Sequence, residues 1–140
     1  MVSKNYDISN IVFIDDDKQS SILFKQTLKE EIKTEKIYLN LFESANDFLF
    51  ALKTRKVNAD TVFFNIDMSA IDVGIFMANV RTFDPNISIF LISTEDKEEY
   101  HLKAKSYGAA GFLKKPINFK AVRAISVSYT HLRAHETRHD

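Results

Sequence analysis

Four short apolar runs in this chain each end in side chains that can do chemistry. Ile11-Val12-Phe13-Ile14 runs into Asp15-Asp16-Asp17, and Val62-Phe63-Phe64 runs into Asn65-Ile66-Asp67. Ile89-Phe90-Leu91-Ile92 runs into Ser93-Thr94, and Gly111-Phe112-Leu113 runs into Lys114-Lys115-Pro116. Runs of this kind read as buried strands that deliver polar side chains to a surface cleft. Acid, amide, hydroxyl and ammonium would then meet at the ends of four strands. Adjacent carboxylates such as Asp15 and Asp16 repel, by roughly 1 kcal/mol at 4 Å in water and about 4 kcal/mol at an effective dielectric of 20, so they need a cation or a lysine nearby. Mg²⁺ suits them because it takes oxygen ligands and keeps part of its water. The plainer reading of the acidic run is a solvated turn, and Asp17 reads as a helix cap.

The segments between these runs have helical periodicity. Lys18 to Ile32 carries apolar residues at 24, 28 and 32 on one face. Lys36 to Phe42 reads as a further strand, and Ser44 opens a helix with Phe48, Leu49 and Leu52 on one stripe. Asp72 to Phe83 is helical by Phe76, Val80 and Phe83, and it stops before the turn signal Asp84-Pro85-Asn86. After Ser93 comes an acidic helix start at Glu95, Asp96, Glu98 and Glu99, favourable to the helix dipole, and this helix ends at Tyr107-Gly108. A last helix begins at Asn118. Tyr38, Phe42 and the remaining aromatics read as core. Strands alternating with helices argue a parallel sheet covered on both faces, with its ligand site at the carboxyl ends of the strands.

Composition narrows the function. At 140 residues the chain is one domain, too short for a second module, so any output is expected from a partner. Lys plus Arg number 19 and Asp plus Glu number 19, so no overall field draws the protein to nucleic acid or an anionic membrane. There is no cysteine, hence no disulfide and no thiolate chemistry. No apolar stretch approaches the ~20 residues of a membrane span, and the amino terminus lacks a signal-peptide pattern, so a cytoplasmic protein is expected.

The four strand ends together resemble the receiver domain of two-component response regulators, over residues 10–126. The resemblance implies a flavodoxin-like, doubly wound, five-stranded parallel α/β sheet in the order 2-1-3-4-5, with helices on both faces. It also implies a phosphorelay signalling role rather than an enzyme. Residue by residue, Asp15 and Asp16 match the acidic pair that holds Mg²⁺, and Asp67 matches the position that lends the metal a backbone carbonyl. Ser93 matches the switch hydroxyl, with Thr94 after it, and Phe112 the aromatic that moves with the hydroxyl. Lys115 matches the phosphate-contacting lysine, and Pro116 is a candidate for a cis peptide bond. The phosphoacceptor position falls on Asn65.

An amide cannot form an acyl phosphate as a carboxylate does, so the resemblance implies a receiver whose phosphorylation at 65 is lost and whose Mg²⁺ binding is weak or absent. Ser69, Ala70 and Val73 also depart from the family pattern of Pro, Gly and Gly, and Thr94 is bulkier than the small residue usual there. The expected partners are a sensor histidine kinase or another signalling protein, with no direct contact to nucleic acid or membrane. They would meet the face formed by the helix after Ser93, the fifth strand and the last helix, a face that could also form a homodimer. Two alternatives are an otherwise active receiver with one inactivating change, and a phosphohydrolase of the haloacid dehalogenase type with Asp15-Asp16-Asp17 as its acidic motif. The latter needs an acidic pair beyond the lysine, and none occurs between Pro116 and Ser126.

Residues 1–9 read as a leader. Residues 127–140 break the rhythm of the domain. They place His131, His135 and His139 at a helical spacing, which reads either as a metal stripe or as a foreign tail. The string from Val127 resembles translated sequencing-adaptor sequence, and the tail is set apart from the functional reading on that ground.

Overall fold

The computed structural model describes residues 9–68, 71–118 and 120–122. Strands β1 (Ser9–Ile14), β2 (Ile37–Phe42), β3 (Thr61–Asn65), β4 (Ser88–Ser93) and β5 (Gly111–Lys114) alternate with helices. The helices are α1 (Lys18–Thr27), α2 (Lys29–Lys33), α3 (Ala45–Lys53), α4 (Val73–Phe83) and α5 (Glu98–Ser106). All strand pairs are parallel, in the order β2-β1-β3-β4-β5. That is the flavodoxin-like topology, whose connections change direction between β1 and β3 and so leave a crevice at their carboxyl ends.

Both faces of the central strands are buried, because successive residues point to opposite sides. Val12, Ile14, Val62, Phe64, Ile89 and Leu91 pack with α3 and α4 through Phe48, Leu49, Phe76, Met77 and Val80. Ile11, Phe13, Phe63 and Ile92 pack on the other side with Phe24, Leu28, Ile117 and Val122. Aromatic stacking runs through both layers. Phe64 lies on Phe76 at 4.2 Å between centroids, and Phe13 lies on Phe24 at 4.3 Å. Such burial, at about 25 cal/mol per Å² of apolar surface, holds the strand ends in register.

Helices α1, α3 and α4 are each started by a side chain the sequence supplies. Asp17 accepts from the Gln19 amide at 3.0 Å, Ser44 from Asp47 at 3.0 Å, and Asp72 from Ile75 at 3.1 Å. Helix α5 is clasped from outside. The Arg81 guanidinium donates to the carbonyls of Tyr107 at 2.7 Å and Gly108 at 2.6 Å, satisfying groups that a helix end leaves open. Gly108 sits at φ +73°, the left-handed conformation that suits glycine after a helix.

Several expectations change. Lys18–Ile32 is two helices rather than one, with the fully buried Leu28 at the break between them. β1 begins at Ser9, the last residue of the segment read as a leader, and residues 1–8 lie outside the described residues. Tyr38 is not core: it is 47% exposed on β2, an edge strand with one face open. Phe83 is likewise half-exposed, because α4 ends there, with the Lys53 ammonium 5.8 Å over its ring. Glu95 and Asp96 precede α5, which starts at Glu98 behind an N-cap, Lys97, that makes no side-chain cap bond. The helix expected from Asn118 shows its first turn, with the Ala121 amide bonded to Asn118 Oδ1 at 2.8 Å. The tail, 127–140, with its three histidines, lies outside the described residues, as do Ser69 and Ala70.

Candidate functional site

The ends of β1, β3 and β5 bring Asp15, Asn65 and Lys115 into one buried cluster. Asp15 is fully buried, Asn65 is 2% exposed and Lys115 is 9% exposed. A buried carboxylate is tolerated only when its charge and lone pairs are answered, and Asp15 is answered three ways. The Lys115 ammonium lies 2.8 Å from Oδ2, while Oδ1 accepts from the Asn65 amide at 2.9 Å and the Asp17 backbone N–H at 3.0 Å. Lys115 also reaches Ser20 Oγ at 3.3 Å. Asn65 then accepts from the Asp67 backbone N–H at 3.0 Å through its carbonyl oxygen. Residue 65 therefore donates on one side and accepts on the other. An aspartate there would lose the donor and set a second anion against Asp15.

A second cluster stands above the first. Ser93, fully buried at the end of β4, donates to Asp67 Oδ1 at 2.7 Å. Asp67 Oδ2 accepts from the Thr94 backbone N–H at 3.1 Å and the Thr94 hydroxyl at 3.3 Å. The Glu95 N–H donates to Ser93 Oγ at 3.1 Å, which directs the hydroxyl proton at Asp67. Partial burial works against the charged Asp67, but the hydrogen bonds from Ser93 and Thr94 and the Lys115 charge outweigh it and hold the carboxyl below the ordinary aspartate value. A carboxyl with a lowered folded-state pKa stabilises the fold above the ordinary aspartate range near pH ~4 and loses that contribution as pH falls through the lowered value. Equilibrium unfolding at pH 5 and pH 3 should therefore show a larger acid loss in the parent than in Asp67→Asn; equal losses would mean that the Asp67 contacts contribute nothing to stability.

The remaining site expectations divide. The Lys115–Pro116 peptide is cis. Phe112 is half-buried at the rim, edge-on to His101 at 4.8 Å and near Tyr100 at 5.7 Å. Asp16, the next residue after the buried Asp15, is exposed. The carboxylate of Asp67 is turned to Ser93 and Thr94. Both oxygens of Asp15 are engaged, by Lys115, Asn65 and the Asp17 amide, so a divalent cation there would compete with these partners. Among the described residues no group of three or more acidic, histidine or cysteine side chains is placed to hold a metal. Sequence reasoning missed Ser20, the Asp17 amide and the Asp67 carboxylate. Only the spacing of Ser20 just inside a helix capped by Asp17 hinted at the first of these.

Comparisons with known proteins agree with this topology. The response regulator receiver domain family matches residues 11–126. A CheY-like receiver domain protein from Methanospirillum hungatei JF-1 superposes with a TM-score of 0.76 at 16% identity, over 92% of this chain and 98% of that one. A two-component response regulator from Clostridium difficile gives 0.73 at 21% identity, over 88% and 96%. A receiver domain protein from Clostridium thermocellum gives 0.75 at 14% identity, over 90% and 97%. No curated protein matches the chain. At these identities the structural likenesses speak for the fold, and the family match extends over most of the chain: it belongs to the response regulator receiver domain family.

Proposed function

We propose that this receiver domain signals without phosphorylation of its own, by binding protein partners. Receiver domains interact with histidine kinases and other signalling proteins and generally bind Mg²⁺ at the phosphorylation site. The observation that carries the proposal is Asn65, a neutral amide at the end of β3, bonded on both sides where the family places its acceptor aspartate. A carboxylate oxygen can attack a phosphoryl group, whereas an amide offers no acyl phosphate product. The Lys115–Asp15 pair supplies the neutralisation that a cation would otherwise bring, so Mg²⁺ is held weakly. Asp15, Asp16 and the Asp67 carbonyl are the groups left for it. Ser93, Thr94, Phe112 and Lys115 keep the switch positions, and the face of α5, β5 and the helix begun at Asn118 is the partner-binding surface, for a heterologous partner or a second copy. Leu102, exposed on α5, offers apolar area there. Among the described residues no helix is long and apolar enough to cross a membrane. A cytoplasmic location fits this role.

Incubation with acetyl phosphate and Mg²⁺, read by intact mass and hydroxylamine sensitivity, tests the proposal. The parent chain is expected to gain no phosphoryl group. Asn65→Asp should gain one slowly, and Asn65→Asp with Thr94→Ala should gain it faster. Added Mg²⁺ should raise the melting temperature of Asn65→Asp and leave the parent unmoved, because only the variant adds a carboxylate worth on the order of 1 kcal/mol or more toward a cation. An acyl phosphate on the parent, at Asp67 or elsewhere, would overturn the reading. A single variant that phosphorylates as fast as an ordinary receiver would point to an intact site carrying one inactivating change.

A further inference from the structure

We propose that the Asp67 carboxylate is a resident anion, filling from within the chain an oxyanion pocket made by the Ser93 hydroxyl and the Thr94 amide and hydroxyl, and clasping the loop after β3 to the loop after β4. The geometry is that of a bound anion rather than a passing contact. Three donors from two consecutive residues converge on the two oxygens of one carboxylate, at 2.7, 3.1 and 3.3 Å. Their orientation is set from behind. Ser93 is fully buried and receives the Glu95 N–H, so its proton can only be offered forward, and the Asp67 backbone is itself held by Asn65 Oδ1 at 3.0 Å. Charge-assisted hydrogen bonds of this kind are roughly twice as strong as neutral ones, and three of them fix both loops together.

Asn65 is what makes the arrangement compatible with its surroundings. The buried Asp15 and the clasping Asp67 are two carboxylates at neighbouring strand ends, and the amide between them donates to one and accepts from the backbone of the other. A third carboxylate at 65 would repel both. The neutral residue and the internal anion thus belong together: the loop arrangement that a covalently attached oxyanion would have to create is present from the start. The step from this clasp to signalling rests on the reading of the α5–β5 face as the output surface, whereas the clasp itself is tested without any partner or phosphodonor.

The test is amide exchange and chemical shift in the ¹H–¹⁵N spectrum of the parent, Asp67→Asn and Asp67→Ala. In the parent, the Thr94 amide should be protected and should not move on addition of millimolar inorganic phosphate. In Asp67→Ala, its protection should fall at least about tenfold, the loss of one hydrogen bond of ~1.4 kcal/mol, while the interior amides of Phe64 and Ile92 stay protected and so report an intact sheet. Asp67→Asn, with a single acceptor oxygen, should fall between. Inorganic phosphate should then shift the Thr94 and Glu95 amides of Asp67→Ala, having found the vacated pocket. Equal Thr94 protection in parent and Asp67→Ala, with Phe64 and Ile92 protected in both, overturns the clasp. A phosphate response in the parent equal to that of Asp67→Ala, or none in either, overturns the anion pocket. Failure of the acetyl phosphate experiment bears on Asn65 alone and leaves these readouts unaffected.

Discussion

Lys115→Met is expected to lower the stability of the domain by roughly 3 kcal/mol. The substitution preserves most of the side-chain length and its apolar stem, so packing changes little. What it removes is the cationic partner of Asp15, a carboxylate with no solvent exposure. Breaking a buried pair from one side costs ~3–5 kcal/mol because the surviving charge has neither water nor partner. The lower end applies here, since the Asn65 amide and the Asp17 N–H still satisfy Asp15. The companion Asp15→Asn with Lys115→Met removes both charges and should recover most of the loss, as buried pairs exchanged for neutral groups often do. Urea unfolding of the parent, the single variant and the double variant decides it. A single-variant loss under about 1 kcal/mol would show that Asp15 reaches water once the lysine is gone.

Phe76→Ala should cost more, about 3–5 kcal/mol, the range for removing a buried aromatic and leaving a cavity. Phe76 is fully buried on α4, stacked 4.2 Å above Phe64 of β3 and 6.2 Å from Phe48 of α3. It therefore joins two helices to the strand that carries Asn65. The strand register and the Asp72 cap of α4 give the surroundings little freedom to collapse into the space. A fall in melting temperature on the order of 10 °C or more is expected by calorimetry. A shift of only a degree or two would place the ring in a site that refills. Phe83→Ala, on the same helix but half-exposed, is the internal comparison and should have a small effect.

The contrast between those two phenylalanines shows what periodicity conveys. A 3.6-residue repeat places Phe76, Val80 and Phe83 on one stripe, but it does not say where the sheet stops covering that stripe, and α4 ends at Phe83. The same holds for Tyr38: alternation marks β2 as a strand, while its place at the edge of the sheet follows from the crossover order. Leu28 shows a related limit. Its apolar character and its burial were legible, but the break between α1 and α2 at that residue was not.

In the site, the residues that could do chemistry were legible one by one, because an apolar strand ending in a polar residue has to deliver it to the rim of a parallel sheet. The sequence by itself determined the alternation of strands and helices, the delivery of Asp15, Asn65, Ser93 and Lys115 to the ends of strands, and the absence of a carboxylate at 65. Local sequence carries that information, since strand burial and side-chain chemistry are properties of neighbouring residues. Which partner each polar group takes was decided by the tertiary structure alone. Asp15 pairs with Lys115, 100 residues away, while Asp67 turns to Ser93 and Thr94. These choices depend on distances of 2.7 to 3.3 Å between side-chain atoms that the sheet and its loops bring together, and on which charges are left without water once the core has closed over them.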